Sequence, residues 1–321
     1  MTRVTLPGTD LTTSQLGFGS SGGRVSDRQR LRLYRTAFDH GITHFDTARA
    51  YGMGTAEAVL GKFLAGLRDQ VTVTTKLGIV APPSGTLFRA ARRAARAAER
   101  LLPSAGARAK QAAGNRLLTG SRFSVDDMRA SLETSLRGLG TDHVDILLLH
   151  ECSPEEIGED VEAFLDECVR AGQVRFTGIA TGAVSTRAIV DRGNTFPAVV
   201  QIANSATEPN LDLLPVRGRA IITHSPLSRG LGRLHAALSS SPELRGRWAN
   251  ELQTDCSDLR TLTALMLSYC LWVNRQGIVL FYSQQPEHLI ANATGAFGTG
   301  GFGEDQLAAF ARLAREQGSS S

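Results

Sequence analysis

Residues 26–46 read SDRQRLRLYRTAFDHGITHFD, and this segment carries the pattern that predicts the fold. Ser26 is a residue type that caps helix N-termini, and the apolar residues after it follow a helical spacing: Leu31, Leu33, Tyr34, Ala37 and Phe38. Gly41 is typical of a helix end, and the β-prone run Thr43–Asp46 follows it directly. A helix that leads at once into a short apolar strand is the repeating unit of an α/β fold.

The same alternation recurs along the chain and predicts eight parallel strands. They are Gln15–Gly17, Thr43–Asp46, Val71–Lys76, Val144–His150, Arg175–Ala180, Val199–Ile202, Ala220–His224 and Ile278–Tyr282. Because no linker and no second core interrupt them, we expect one (β/α)8 TIM barrel domain over residues 1–321. Two additions are predicted: an N-terminal β-hairpin over Val4–Gln15 and an Arg-rich insertion over residues 81–123, between strands three and four.

The basic charge of the chain is concentrated in that insertion. Against 35 basic and 31 acidic residues overall, residues 81–123 hold nine basic residues and one acid, which leaves the rest at −4. A net charge of +4 does not require nucleic acid or an anionic membrane as a partner. The stretch Leu87–Leu102 predicts a helix with one basic face, which is either a solvated surface or a lid or docking face for an anionic ligand.

Cysteine usage and the N-terminus indicate a cytoplasmic protein. The four cysteines show no CxxC spacing, so buried thiols in a reducing compartment are expected rather than disulfides or a zinc site. The first residues lack the apolar core of about 7–15 residues found in signal peptides, and no run approaches the roughly 18 apolar residues of a membrane span. No apolar excess is visible outside the barrel pattern, so we expect a monomer with no membrane or nucleic-acid partner.

One glycine pattern suggests a different fold. Gly17, Gly19 and Gly22 form GxGxxG, and Asp46 lies 24 residues further on, as in dinucleotide-binding domains. In that fold the last glycine lies inside the helix, whereas the Ser26 cap begins the helix four residues later here. The preceding LTTSQL is also too polar for a central parallel strand, so we interpret the pattern as part of the barrel.

Four polar residues stand at or near the carboxyl ends of predicted strands, where barrel enzymes carry their chemistry. They are Asp46, Tyr51, Lys76 and His150. A phenol is a poor acid near pH 7 unless a cation stabilises its phenolate, and Lys76 can supply that cation while Asp46 holds it in place. His150 could then donate a hydrogen bond to a carbonyl oxygen or relay a proton. No nucleophile with an adjacent base and no metal-ligand cluster appears, so the set predicts protonation of a carbonyl group.

Four blocks of sequence carry a family resemblance: GITHFDTARAYGMGTAEAVLGKFL, TTKLG, SLRGLGTDHVDILLLHE and PEHLIAN. In this order and spacing they resemble the aldo-keto reductase family over almost the whole chain. The resemblance implies a (β/α)8 oxidoreductase that reduces aldehydes and ketones with NADPH, and it places the family's catalytic tetrad on Asp46, Tyr51, Lys76 and His150. It further implies that Tyr51 is the general acid and that the hydride comes from the nicotinamide.

The resemblance also implies cofactor-binding positions, which are Gln201, His224, Ser225, Leu227, Ser283, Gln284, His288 and Asn292. Ala180 and Thr181 replace the Ser-Asn pair that commonly holds the carboxamide. The basic residues that often bind the 2′-phosphate are missing after strand eight, where only His288 can become cationic. NADP(H) is therefore the expected cofactor with NAD(H) as the alternative, and Arg229 is one candidate for the missing cation.

Two other functions stay open at this point. A cofactor-independent lyase, isomerase or dehydratase could use the same Tyr, Lys and His on the same barrel, and a non-enzymatic nucleotide sensor or scaffold could use the basic face. Substrate specificity is expected in the loops Leu77–Phe123, Leu227–Asp258 and Gly295–Gly303, with Phe88, Trp248 and Phe297 as candidate pocket aromatics.

Overall fold

The computed structural model describes residues 1–21, 25–79, 123–193, 195–215, 218–228, 230–295 and 301–319. These residues contain strands β1 (Arg3–Thr5), β2 (Thr12–Ser14), β3 (Leu16–Gly19), β4 (His44–Asp46), β5 (Thr72–Leu77), β6 (Val144–His150), β7 (Val174–Ala180), β8 (Val199–Ala203), β9 (Ala220–His224) and β10 (Ile278–Phe281). Strands β3 to β10 are parallel and close into a barrel, in which β10 pairs with both β9 and β3. The predicted (β/α)8 barrel is confirmed: β6 and β9 have the predicted bounds, and the other six barrel strands differ from prediction by one or two residues at one or both ends.

Helices surround this barrel. They are α1 (Asp27–Asp39), α2 (Ala56–Leu64), α3 (Val125–Leu139), α4 (Glu159–Arg170), α5 (Ala183–Val190), α6 (Gly230–Ser240), α7 (Pro242–Leu252), α8 (Leu259–Val273), α9 (Pro286–Gly295) and α10 (Glu304–Ser319). Ser26 caps α1 by accepting a hydrogen bond from the Gln29 N–H at 3.2 Å, as predicted, and Ser124 caps α3 in the same way. The helices pack their apolar faces on the outside of the barrel and form the larger of two hydrophobic clusters.

The N-terminal hairpin covers the end of the barrel where the strands begin. Strands β1 and β2 pair antiparallel, which confirms the predicted hairpin. Leu6 and Leu11, each only 1% exposed, pack with barrel-interior residues such as Ile146 and Ile278. Because this end is filled by apolar side chains, a ligand can enter the barrel only from the opposite end, where the strands finish.

The glycine pattern near the N-terminus has a packing explanation at its first position. Gly17 lies inside β3, and a β-carbon there would approach side-chain atoms of Leu280, His44 and Ile278 to within 2.7–2.9 Å. A glycine is therefore required by the crowded barrel interior rather than by a nucleotide phosphate. Most of the Arg-rich insertion lies outside the described residues, as does the helix predicted within it. The assignment of residues 1–321 to a single domain accordingly stays a prediction.

Candidate active site

The carboxyl ends of the barrel strands bring the four predicted catalytic residues together. Asp46 ends β4, Lys76 lies near the end of β5 and His150 ends β6, while Tyr51 begins a short 3-10 turn after β4. A cavity of about 390 Å³ opens here, and Asp46, Tyr51 and His150 line it. We refer to these four residues as the tetrad.

Lys76 links the acidic and phenolic members of the tetrad. Its ammonium donates to Asp46 Oδ1 at 2.5 Å and to the Thr47 carbonyl at 3.0 Å, and it lies 4.9 Å from the centroid of the Tyr51 ring. Burial alone would lower the pKa of Lys76, but the charges and hydrogen bonds of Asp46 and Tyr51 together outweigh burial, and the pKa is raised. Lys76 therefore stays cationic at neutral pH, in direct reach of the Tyr51 phenol.

The balance of forces at Tyr51 differs from the sequence-based expectation. Burial raises the pKa of the Tyr51 phenol, and the nearby Lys76 ammonium opposes this increase without reversing it. In the protein without ligand, Tyr51 is thus a protonated phenol at neutral pH. The position of Lys76 would allow its charge to stabilise a phenolate on Tyr51.

His150 faces Tyr51 as a neutral ring. The two rings meet edge to face, with centroids 5.9 Å apart and an interplanar angle of 89°. Burial, together with the nearby charge of Lys76, lowers the pKa of His150 to about 3. A neutral imidazole at neutral pH can donate one hydrogen bond to a carbonyl oxygen without competing with Tyr51 as the acid.

Arg30 supports the turn that carries Tyr51, and sequence reasoning missed it. This side chain on α1 is only 2% exposed, and its Nη1 donates to the Ser20 carbonyl at 2.8 Å. Its Nη2 lies 3.1 Å from where a β-carbon on Gly52 would sit, so the guanidinium fills the space directly beneath the turn. The signal was present in the sequence, because Arg30 falls on the buried stripe of α1 with Leu33 and Ala37.

Four of the predicted cofactor positions line the same cavity: Gln201, His224, Ser225 and Leu227. Gln201 Nε2 donates to Asp46 Oδ2 at 2.7 Å, which leaves its carbonyl oxygen as the atom free to accept from an amide. Burial lowers the pKa of His224 to about 4, so this ring is neutral and can stack on a nicotinamide. Next to it, Ser225 has a φ of 63°, a left-handed conformation uncommon outside glycine.

The carboxamide side of the cavity offers fewer donors. Ala180 lines the cavity but has no polar side-chain atom. The Thr181 hydroxyl donates to the Cys152 carbonyl at 3.2 Å, so it is engaged away from the cavity. A nicotinamide carboxamide would therefore depend on Gln201 and on backbone groups for its hydrogen bonds.

The other four predicted cofactor positions lie beside this cavity at the start of α9. Ser283 accepts from the Gln285 N–H at 3.2 Å, and the Gln284 carbonyl accepts from Gln29 Nε2 of α1 at 2.9 Å. His288 is exposed and Asn292 is half-buried on the same helix. None of these four is among the residues that line the tetrad cavity.

A second groove runs along this region between α1 and α9. Three arginines of α1, namely Arg28, Arg32 and Arg35, line it opposite Gln285 and Pro286. All three arginines are exposed, and none has an ion-pair partner among the described residues. Three exposed arginines of a neighbouring helix thus lie beside the segment after the last strand, a juxtaposition that spacing along the chain does not reveal. Arg229 lies outside the described residues.

The predicted pocket aromatics do not form the cavity wall in the described part of the chain. Trp248 is only 1% exposed and packs edge to face on Phe310, with ring centroids 6.0 Å apart. It belongs to the core under α10, because the apolar face of α7 points inward there. Phe88 and Phe297 lie outside the described residues. Apart from Tyr51 and the two histidines already described, the aromatic residues that line the cavity are Phe281 and Tyr282, at the end of β10 and just after it.

The family of the chain follows from comparison with known proteins. A profile of the Aldo/keto reductase family matches residues 13–313. A 6-dehydroglucose reductase from Agrobacterium fabrum is 36% identical over 143 residues, a match that spans 44% of this chain and 39% of that relative. An NADH-specific methylglyoxal reductase from Escherichia coli is 30% identical over 250 residues, spanning 72% of this chain and 69% of that protein. The chain belongs to the aldo/keto reductase family.

The fold agrees with this assignment. A solved structure of an aldo-keto reductase from Bacillus halodurans, in its holo form, superimposes with a TM-score of 0.71 over 98% of this chain and 96% of that one, at 20% identity. Membership of the family defines the chain as an NAD(P)H-dependent oxidoreductase that reduces carbonyl compounds. These relatives give no support to a cofactor-independent enzyme or a scaffold protein. No helix in the described ranges is long and apolar enough to cross a membrane.

Proposed function

We propose that this protein reduces a small aldehyde or ketone to the alcohol, with Tyr51 as the proton donor and a nicotinamide dinucleotide as the hydride donor. The observation that carries the proposal is the tetrad itself. A protonated phenol, a cation in contact with it and a neutral imidazole edge-on to it meet at one open cavity. This arrangement fits protonation of a carbonyl oxygen better than any other chemistry of these residue types.

Each member of the tetrad has a separate role. Tyr51 transfers its proton to the carbonyl oxygen as negative charge develops there. Lys76 stabilises the phenolate that remains, and Asp46 keeps Lys76 oriented through the 2.5 Å contact. His150 donates a hydrogen bond that positions the carbonyl oxygen beside Tyr51. A reduced nicotinamide supplies the hydride when it is bound.

The cavity residues fit a nicotinamide ring. His224 offers a neutral aromatic face, and the free carbonyl oxygen of Gln201 can accept from a carboxamide N–H. Gln201 also touches Asp46, so binding of the ring is coupled directly to the tetrad. Ser225 and Leu227 would complete the wall around the ribose side of the same group.

We further propose NADP(H) as the preferred form of the cofactor. Ser283, Gln284, His288 and Asn292 would form the surroundings of the adenosine, and Arg28 with Arg32 would provide positive charge for the 2′-phosphate. Arginine binds phosphate oxygens through paired, charge-assisted hydrogen bonds, which a neutral glutamine cannot replace. The relative from Escherichia coli is named NADH-specific, so NAD(H) is the alternative that the groove arginines argue against.

The compartment and the oligomeric state are part of the same proposal. We infer a monomeric enzyme of the cytoplasm whose partner is its small-molecule substrate. All four cysteines are buried free thiols, which suits a reducing compartment. Burial raises the pKa of all four thiols to about 11 or 12, so they are not reactive nucleophiles.

The test is a titration of the purified protein with NADPH and, separately, with NADH, followed by quenching of tryptophan fluorescence. We expect tighter binding of NADPH and, with a panel of aldehydes and ketones, oxidation of the bound cofactor. Binding of NADH alone would support the same chemistry with a different cofactor preference. Absence of both binding and turnover in a folded protein, judged by circular dichroism, would refute the proposed function.

A further inference from the structure

The mouth of the cavity holds a carboxylate that the proposed chemistry does not use. Glu151 directly follows His150 at the end of β6 and lines the cavity. It is solvent-exposed, and its carboxylate has no hydrogen bond or ion pair with any residue that the structure describes. A free acceptor group is therefore presented next to the residues that handle the carbonyl group.

The backbone of Glu151 is held in an unusual conformation. Its φ of 56° lies in the left-handed region, and its N–H donates to the Ala180 carbonyl of β7 at 2.8 Å. Of the four non-glycine residues with positive φ in the described ranges, Glu151 and Ser225 line the cavity, and Met53 lies in the turn that begins at Tyr51. Strained backbone of this kind persists where the surrounding structure enforces it, and it concentrates at ligand sites.

The carboxylate sets the charge of the cavity wall. Asp46 and Glu151 are the acidic residues among the described lining residues, and that lining contains no lysine or arginine. Lys76 neutralises Asp46, so Glu151 leaves this wall with one negative charge. Partial burial at the mouth of the cavity raises the pKa of the Glu151 carboxyl, and a hydrogen-bond donor from a substrate would stabilise its charge.

We propose that Glu151 is a specificity-determining residue that accepts hydrogen bonds from substrate hydroxyl groups and excludes substrates bearing a carboxylate or phosphate. The substrate class is then a neutral hydroxyaldehyde or hydroxyketone. An ionised carboxylate can only accept hydrogen bonds. It therefore favours substrates that carry hydrogen-bond donors and repels substrates that carry an anionic group. This assignment rests on the proposed reductase function, because it concerns which carbonyl compounds reach Tyr51.

The experiment compares three substrates with the cofactor-saturated enzyme. Glyceraldehyde carries hydroxyl donors, glyceraldehyde 3-phosphate adds an anion, and 4-nitrobenzaldehyde has neither and serves as the internal reference. We expect the wild type to favour glyceraldehyde over its phosphate by about tenfold or more in kcat/KM. In Glu151→Gln this preference falls by about tenfold, mainly through KM, because the charge is lost while the shape is kept.

Two further variants separate specificity from folding. Glu151→Asn removes the charge and suits the left-handed backbone, so it should show the same loss of preference with an unchanged Tm. Glu155→Gln removes an exposed carboxylate from the same loop, outside the cavity lining, and should keep the wild-type preference.

The outcomes distinguish the two proposals. If neither the folded wild type nor any folded variant reduces 4-nitrobenzaldehyde or glyceraldehyde, the proposed reductase function is refuted. If the wild type reduces both but the preference survives in Glu151→Gln and Glu151→Asn, only the role of Glu151 is overturned. A wild-type preference for 3-aminopropanal over glyceraldehyde would also overturn it, since the carboxylate would then select a cation rather than a hydroxyl group.

Discussion

Both ends of the barrel contain a buried aspartate that is paired with basic side chains, but only the aspartate at the carboxyl ends is linked to Tyr51 and the tetrad cavity. At the amino ends of the strands, Asp145 is 2% exposed and both of its oxygens are engaged, by Arg68 at 2.8 Å, Arg175 at 3.1 Å and the Val73 N–H at 2.9 Å. At the carboxyl ends, Asp46 binds one cation, Lys76, and the amide of Gln201; Lys76 lies over the Tyr51 ring and Gln201 lines the cavity.

The difference lies in what the partners of each aspartate can still do. Arg68 and Arg175 form further contacts with Thr141 and Asp10, so the network around Asp145 is closed on itself. Lys76 instead directs its charge at the Tyr51 phenol, which lines the cavity and which we propose as the proton donor. A buried acid–base pair is therefore structural when all of its groups are satisfied within the fold, and functional when one partner faces a reacting group.

The largest expected effect is on catalysis at the carboxyl end. Tyr51→Phe removes the proton donor but keeps the ring that contacts Lys76 and His150, so kcat for carbonyl reduction should fall by about 10²–10⁴-fold. Steady-state kinetics with a saturating aldehyde would measure this loss. Tyr34→Phe is the matched control, because this buried tyrosine bonds to Ser20 outside the cavity lining and its loss should leave kcat within a few-fold. Equal losses of kcat in the two variants would show that Tyr51 is not the proton donor.

The opposite end should respond in stability rather than in rate. Asp145→Ala leaves two arginines without their shared carboxylate and should lower the free energy of unfolding by about 3–5 kcal/mol. Urea denaturation followed by circular dichroism would measure the change. The fraction that remains folded should keep its kcat. A large loss of kcat with little loss of stability would contradict a purely structural role for the Asp145 network.

Acid should destabilise the protein through a buried histidine, His44. Burial lowers the pKa of His44, inside the barrel, to about 4, so the folded state resists its protonation. Stability from this group is complete above pH 6.5 and is lost as the pH falls from 6.5 towards 4, by about 3 kcal/mol in total. Unfolding free energies at pH 7, 5 and 4 would show this decline. In His44→Gln the decline should be shallower, and an identical slope would contradict the assignment.

The smallest expected effect concerns cofactor preference at the edge of the catalytic end. Arg28→Gln removes one cation from the groove and should weaken NADPH binding by about tenfold, with NADH binding unchanged. Fluorescence titration of both cofactors would measure the ratio. Arg170→Gln removes an exposed arginine at the end of α4 and should leave both affinities unaltered. Parallel weakening of NADPH and NADH would indicate a general structural effect rather than contact with the 2′-phosphate.

Much of the fold and the tetrad could be predicted from local patterns. The strand Val144–His150 was predicted at its observed bounds, because seven residues of almost continuous apolar character flanked by turn residues leave little choice. A polar residue at the end of such an apolar strand is unusual, and this pattern predicts Asp46 and His150 as site residues. The first strand was predicted to begin at Gln15, one residue before its observed start. Gln15 is instead buried and its side chain donates to the Leu271 carbonyl, a contact between distant segments that no local pattern predicts.

The sequence alone determined the α/β class and the N-terminal hairpin and predicted the four residues of the tetrad, since strand periodicity, helix caps and turn chemistry are written in neighbouring residues. Only the tertiary structure decided which of these residues meet and in what environment. Burial raises the pKa of Tyr51 and lowers that of His150, and the closing of β10 on β3 brings the arginines of α1 beside the start of α9. Desolvation and contacts between distant segments depend on the packed whole, so no stretch of sequence specifies them by itself.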